Sequence, residues 1–486
     1  MSLLQEKLLE LQNTPEKGVK DISHQEYKSY AEIFKGSQKY ISLFSNSNQE
    51  IISVVLPNSI QYLEVMCACL ITGNIFNPIP FFTSDEELQR IFGYINPKFI
   101  VTIRNIETSL SIQKKIINPD VIEENLSDLQ FDYAEKIIDG SQIASLYYSS
   151  GTTGSPKGVL YSHDNVYYLI ESIIRGFGFT EKTKHFSILP FGHTASINYN
   201  IFPSIFLKSE MVIAESFTNI APKFFKIISD EKINYIQVVP TIVYMLLKIR
   251  YKVTNLDLSS LMFLGCGSSI LPLESQLEFE SKFNIKIGNL YGLSETGPTH
   301  IDDPRDENWV PGTIGIPLDV NECKIAKDSE ILIKGKNVFV GYYKNKTLYD
   351  EVVKKGWFHT GDLVEYIDGR YIYKDRSKDL IIKGGINIVP AEIEEILYMD
   401  NEILEAAVIG LFNEVHGEEI FAAVSLRDEN ALKDEVKTRL YSLLSKNLSS
   451  YKHPVDIFFL DSLPKTHSGK LKRREVRSIV ENEYNK

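Results

Sequence analysis

The alternation of apolar and polar positions divides the chain into many short elements. Residues 27–44 carry apolar side chains at helical spacing, and 51–56 (IISVVL) is an uninterrupted apolar run of strand length. Residues 62–71 form an apolar helix pattern that stops at Gly73, a residue suited to the turn closing a helix. Residues 99–103 add a strand, 164–175 a helix and 185–190 another strand. The alternation continues through 235–240, 242–249, 261–265 and 272–283, and 286–290 leads into a loop. Strands alternating with helices predict an α/β fold, with sheets flanked by helices.

From Glu330 the pattern shortens to brief strands, ILIKG, NVFVGYY, 357–364 and 371–374. A charged, strand-poor hexapeptide at 374–379 (KDRSKD) then separates this region from a smaller one. The smaller region predicts a strand at 380–382, a tight turn at Gly384-Gly385, and a helix opened by Pro390. Glu392, Glu394 and Glu395 fall in the first turns of that helix, where the macrodipole favours acids. Strands at 406–410 and 420–426 follow, then a helix with Leu432, Val436, Leu440 and Leu443 on one face. A last strand at 455–460 precedes 464–470 and a basic C-terminal helix. The expected organisation is a large multi-subdomain body, 1–374, and a small mobile α+β lid, 375–486, hinged at Asp375.

Composition narrows the class. At 486 residues the chain is long for one core, and 43% hydrophobic and 24% charged residues are ordinary for a soluble globular protein. A net charge of −12 argues against nucleic-acid or membrane-surface binding, so an anionic substrate would need local basic residues. Cys67, Cys69, Cys266 and Cys323 show no metal-type spacing and are expected as reduced core residues of a cytoplasmic protein. The N-terminal stretch, with charges inside its apolar run, is not expected to be a signal peptide, and no apolar run has the length of a membrane span.

One loop carries distinctive chemistry. Residues 146–159 (LYYSSGTTGSPKGV) place glycines, serines, threonines and one lysine between two apolar strand-like runs. Backbone amides of such a loop can turn inward as an anion nest, which suits a polyphosphate. It is not a Walker A loop, because Pro156 precedes Lys157 and Gly158 stands where Ser or Thr belongs. Further on, Tyr291-Gly-Leu-Ser-Glu295 follows a strand, where loops of an α/β sheet make sites, and Glu295 is a hard oxygen ligand of the kind Mg²⁺ takes. In 357–362 (WFHTGD), Thr-Gly-Asp presents the Asp362 carboxylate on a tight turn, able to accept from two vicinal hydroxyls.

The run 149–158 (SSGTTGSPKG) resembles the AMP-binding signature of the adenylate-forming enzymes: acyl-CoA synthetases, peptide-synthetase adenylation domains and luciferases. The YGLSE, WFHTGD and DRSKDLIIKGGINIVPAEIE blocks, and PKTHSGK at 464–470, follow in the family's order. The resemblance implies that Ser149, Ser150, Gly151, Thr152, Thr153, Gly154 and Lys157 hold the β- and γ-phosphates of ATP. By the same resemblance Gly267 and Tyr291 border the adenine, Ser294 touches the α-phosphate, Glu295 binds Mg²⁺, and Asp362 and Arg376 hold the ribose. Asp375 would be the pivot, and Gly384 and Gly385 the side that admits the thiol acceptor. Lys470 would be catalytic, with His193 of PFGHTASIN beside the acid's carboxylate.

The implied reaction brings a carboxylate onto an α-phosphate. At about 4 Å and an effective dielectric near 20, unit charges repel by roughly 4 kcal/mol. An ammonium at Lys470 bridging both offsets much of that, worth roughly two to three orders of magnitude in rate. The expected activity is an acid–thiol ligase: ATP and a fatty or aryl acid give an acyl-adenylate and pyrophosphate, and the lid turns to admit CoA. A phosphopantetheinyl carrier protein is the alternative acceptor, met by a basic patch at Lys446, Lys452 and 472–474, and a non-catalytic binder is a third reading. The segment 316–334 departs from the family by lacking its Gly-Glu pair, leaving Ser329-Glu330, which predicts a trimmed surface turn without consequence for chemistry.

Overall fold

The computed structural model describes residues 1–106, 115–121, 136–149, 157–249, 253, 255–384, 386–413, 417–428, 430–466 and 471–484. Among them the strands form four sheets, of nine, seven, five and five strands. The seven-stranded sheet has the apolar run Ile51–Val55 in its interior, parallel to the central strand Ile75–Pro78 and to Phe99–Thr102. Its far side is the antiparallel pair Ile143–Ser149 and Lys157–Ser162, the two strands expected to flank the signature loop. Helix Ile60–Ile71 is apolar almost all round, as its burial requires. Gly73 just beyond it takes φ +71°, the left-handed turn that closes the helix.

The first predicted helix is corrected at its start. Residues 27–29 belong to strand Glu26–Ser29, and the helix is Tyr30–Phe44. The boundary is set by Ser29, whose hydroxyl accepts from the Glu32 amide while the Glu32 carboxylate accepts from the Ser29 amide at 2.8 Å, a capping box.

In the nine-stranded sheet, His185–Ser187, Tyr235–Val238, Phe263–Cys266 and Ile287–Leu293 run parallel and side by side. Val238 lies opposite Cys266, and Cys266 opposite Asn289, so two strands end at one level and the third runs on to deliver Tyr291 beyond them. The two large sheets meet at Gly192, where an added Cβ would stand 2.2 Å from the Pro80 backbone nitrogen. That junction is fixed by Asn58, which donates to the Leu189 and Ala214 carbonyls, and by the Tyr62 hydroxyl, which donates to Phe191 O at 2.6 Å.

The third sheet pairs Trp357–Ile367 with Glu330–Gly335 and with Arg370–Arg376. Lys374, Asp375 and Arg376 are therefore strand residues, although the hexapeptide read as strand-poor. The ladder supplies what their charge conceals, with Leu363 opposite Asp375 and Asp362 opposite Arg376. Of the run NVFVGYY only Gly341–Tyr342 is a strand, and it joins the edge of the seven-stranded sheet beside Val159 and Leu160.

The C-terminal sheet consists of Ile381–Lys383, Ile386–Ile388, Ile403–Asn413, Gly417–Leu426 and Asp456–Phe459. Pro390 opens helix Pro390–Tyr398 as expected. Helix Lys433–Asn447 buries Val436, Leu440 and Leu444 rather than Leu443, because a spacing of four keeps those three on one stripe. Leu432 precedes that helix and is 65% exposed. Most of the sheet's apolar side chains form cores of their own, but Leu404 packs into the cluster of Val243, Tyr244 and Leu247 from the nine-stranded region. Arg427 adds a two-armed pair to Glu278, at 2.9 and 3.3 Å.

Candidate active site

Tyr291, Asp362 and Arg376, far apart in sequence, converge on one carboxylate. Strand Ile287–Leu293 delivers Tyr291 at a register shift between Tyr291 and Gly292, and its hydroxyl donates to Asp362 Oδ2 at 2.8 Å. Cross-strand pairing sets Arg376 opposite Asp362, and its Nε lies 2.9 Å from Asp362 Oδ1. Asp362 is buried, and so is Tyr291, whose phenol is held well above its ordinary pKa by burial and then by the Asp362 charge. A buried carboxylate held by a phenol hydrogen bond and an adjacent guanidinium is fixed in direction. Gly361, at φ +71°, makes the turn that points it there.

A second group forms around Glu295. Tyr342 donates to Glu295 Oε1 at 2.7 Å, and Lys157 Nζ stands 5.7 Å from the centre of the Tyr342 ring. Lys157 opens the strand that returns from the signature loop, so the loop's base and Glu295 share one tyrosine. Ser294 is tied in through its carbonyl, which accepts from the Tyr161 hydroxyl at 2.8 Å. Among the described residues no cluster of three His, Cys, Asp or Glu side chains could hold a metal. One carboxylate is enough for Mg²⁺, which keeps waters and draws its other ligands from substrate phosphates, so Glu295 fits the ion.

Cations gather between these groups. Burial, and then the charges of Arg376, Lys157 and Arg474, lower the pKa of Lys378, although Asp379 opposes them. A field of that sign suits a polyphosphate on a chain whose net charge is −12. Neither Lys378 nor Tyr342 was singled out by the sequence. Their signal was only adjacency to Arg376 and membership of an apolar GYY run.

The other expected residues are placed as follows. Ser149 ends its strand, and Ser150, Gly151, Thr152, Thr153 and Gly154 lie outside the described residues. Gly267 follows strand Phe263–Cys266 and its amide donates to Val238 O at 3.3 Å. A Cβ there would stand 3.0 Å from Leu290 O, so glycine keeps the strand ends close. His193 precedes the short helix Thr194–Ser196, its ring 6.4 Å from that of Phe82 and its amide donating to Pro190 O. A π-helical turn, Ile197–Ile201, follows, a distortion frequent at functional sites.

Asp375 is buried and accepts from the Arg376 and Ala391 amides at 2.7 and 3.2 Å. Burial pushes its pKa up to about 6. Gly384 takes φ +58° with open space around it, and Gly385 lies outside the described residues. Lys470 also lies outside them, but its flanks are ordered by a bridge between Lys465 and Leu471. Glu405 anchors that base through the Leu463 amide, the Ser425 hydroxyl and Lys465, whose Nζ lies 5.7 Å from the Tyr244 ring centre.

Residues 10–343 match the family described as AMP-binding enzyme, and 392–470 match the AMP-binding enzyme C-terminal domain. The chain belongs to the AMP-binding enzyme family. It is 29% identical to the sulfoacetate–CoA ligase of Cupriavidus necator, over 87% of this chain and 86% of that one. It is 31% identical to the 2-succinylbenzoate–CoA ligase of Listeria monocytogenes, over 75% and 78%. Among solved structures, the o-succinylbenzoate coenzyme A synthetase of Bacillus subtilis in complex with AMP superposes with a TM-score of 0.83 at 25% identity, covering 98% of both chains.

Two expectations for this AMP-binding enzyme gain detail. The expected surface turn is present, closed by the Ser329 amide donating to Ala326 O at 3.1 Å, and Glu330 just beyond it accepts from the Gly361 amide at 2.7 Å and faces His359 Nδ1 at 3.0 Å. The basic patch is largely neutralised: Lys452 pairs with Glu392, Lys472 with Glu475, and Arg473 with Glu394 at 2.5 and 3.0 Å. Glu330, Lys452 and Arg473 meet partners distant in sequence, whereas Lys472 and Glu475 are three positions apart. The cysteines match expectation, with Cys67, Cys69 and Cys266 buried and all four free. No helix among the described residues is long and apolar enough to cross a membrane.

Proposed function

We propose that this enzyme activates a carboxylic acid with ATP, giving an acyl-adenylate and pyrophosphate, and then transfers the acyl group to the thiol of CoA. The observation that carries the reading is the meeting of Tyr291, Asp362 and Arg376 on one buried carboxylate. The Lys157–Tyr342–Glu295 group supports it from the phosphate side. Asp362 accepts the ribose hydroxyls, Tyr291 borders the adenine, and Lys157 with the loop before it holds the departing phosphates. Glu295 holds Mg²⁺, which neutralises phosphate charge when bound. Lys470 bridges the acid's carboxylate and the α-phosphate, with His193 at the acid's edge, and the lid, residues 375–486, turns about Asp375.

The named relatives support a CoA acceptor, since those in Cupriavidus necator and Listeria monocytogenes are both CoA ligases. Their acids differ widely, a sulfonated short acid and an aromatic one, and a long-chain-fatty-acid–CoA ligase of Bacillus subtilis is 34% identical over 72% of this chain and 64% of that one. Acid choice therefore follows the pocket walls, near His193, Val238, Gly267 and Tyr291. Pyrophosphate exchange into ATP, measured across a library of acids, tests the reading. Exchange dependent on an acid is expected, and its absence with every acid would leave only a binding protein. Thioester formation with free CoA, compared with a holo carrier protein, separates the acceptors.

A further inference from the structure

We infer that Glu330, together with His359, is a positioning residue for the ribose contact, acting through the Thr-Gly-Asp turn; this rests on the reading of Asp362 given above. Glu330 opens strand Glu330–Gly335 at an irregularity, a register shift between Glu330 and Leu332. With Glu330 opposite Leu363 and Leu332 opposite His359, the extra residues of the irregularity, 360–362, lie on the neighbouring strand. One carboxylate oxygen accepts the Gly361 amide at 2.7 Å, and the other faces His359 Nδ1 at 3.0 Å. The side chain is only 14% exposed, so both contacts are shielded from water.

The rest of the turn is bound to the same strand. Thr360 Oγ1 donates to Ile331 O at 2.7 Å and accepts from the Asp362 amide at 3.0 Å. Within residues 359 to 362, Glu330 thus holds His359 and the Gly361 amide, while Thr360 ties the Asp362 amide to the strand of Ile331. Gly361 is where the restraint matters. At φ +71° it takes a conformation open to glycine, and the Glu330 carboxylate on its amide helps hold it there. A swing at Gly361 moves Asp362 relative to Tyr291 and Arg376, which are held by other elements. Misplacement of a binding group by a fraction of an ångström is enough to lose a hydrogen bond.

The role is specific, so it has a specific readout. Glu330 should matter only as far as the ribose hydroxyls matter. The test compares ATP with 2′,3′-dideoxy-ATP in acid-dependent pyrophosphate exchange, on wild type, Glu330→Ala, Glu330→Gln, His359→Ala and Asp362→Asn. The wild type should prefer ATP, and Asp362→Asn should abolish that preference. Glu330→Ala should reduce the preference roughly tenfold while changing kcat/KM for the dideoxy nucleotide by less than about threefold. Glu330→Gln, which keeps an acceptor for Gly361 and a group facing His359, should stay within about twofold of wild type. His359→Ala should lie between, and it carries the test if Glu330→Ala does not fold.

Loss of general stability would depress both nucleotides alike and leave the ratio unchanged, and that result overturns the inference. Retained preference in Asp362→Asn would instead overturn the ribose reading itself.

Discussion

Two regions of the C-terminal unit lie at opposite extremes of contact. The base of the Lys470 loop is gripped by Glu405, and Lys465 reaches the Tyr244 ring of the body. The hairpin around Gly384 is tied to its own unit, Lys383 pairing with Glu419 at 2.7 Å, and is more open: Ile382 is 54% exposed, Ile386 48% and nearby Phe412 80%. Large apolar side chains left in water on one hairpin mark a surface made to be covered at another time. On the function proposed above, this arrangement would serve adenylation. The side proposed for adenylation faces the body, and the side proposed for the thiol acceptor waits outside.

That contrast can be broken most forcefully at its inner side. Lys470→Ala should lower acid-dependent pyrophosphate exchange by roughly two to three orders of magnitude, while CoA thiolysis of supplied acyl-adenylate stays within a few-fold. Equal loss in both assays would mean that the two faces do not divide the work. The outer side is probed by Gly384→Val, which puts a β-branched residue at φ +58°. A left-handed conformation costs such a residue roughly 1–2 kcal/mol, and thiolysis should fall about tenfold with exchange unaffected. Exchange falling in step with thiolysis would place the hairpin in the first half-reaction.

A smaller effect should come from the contact holding the unit where it is. Arg427 and Glu278 are partly exposed, and such pairs are worth about 1 kcal/mol or less. Glu278→Gln should therefore reduce exchange by no more than about threefold while leaving thiolysis equal or faster. A slower thiolysis would argue against competition between two placements. The mildest test is of pH. Asp375 has its pKa raised from 3.8 to about 6 by burial, so between those values the folded chain binds the extra proton. Stability from this group is present at low pH and declines as pH rises from about 4 through 6. Asp375→Asn should flatten that slope in melting temperature measured over the same range, and an unchanged slope would assign it elsewhere.

The sequence disclosed the motif residues well and their supports poorly. Asp362, Glu295 and Tyr291 stand in short runs whose composition already suggests turns and ligands. Glu330, Tyr342 and Lys378 act through partners 31, 47 or more positions away, or through charges brought together by folding. A strand's residue composition carries no record of which strand lies beside it. The same gap explains why 374–376 read as a linker: three charged residues look like solvent-facing loop until Trp357–Ile367 pairs with them. Helix edges failed more gently. Ser29 and Glu32 do spell a capping box, and reading it would have moved the helix start to Tyr30.

Arg376 grips Asp362 and is the immediate chain neighbour of Asp375. Any ligand that draws on Asp362 therefore has its affinity tied to where Arg376 sits. Thermodynamic reciprocity then runs the other way with equal strength: the ligand's departure or chemical change must alter the preferred orientation of everything beyond Arg376 by the same factor. A nucleotide on this carboxylate would act as a gauge of reaction progress, and the chain would need no separate sensor to tell its C-terminal unit when to turn.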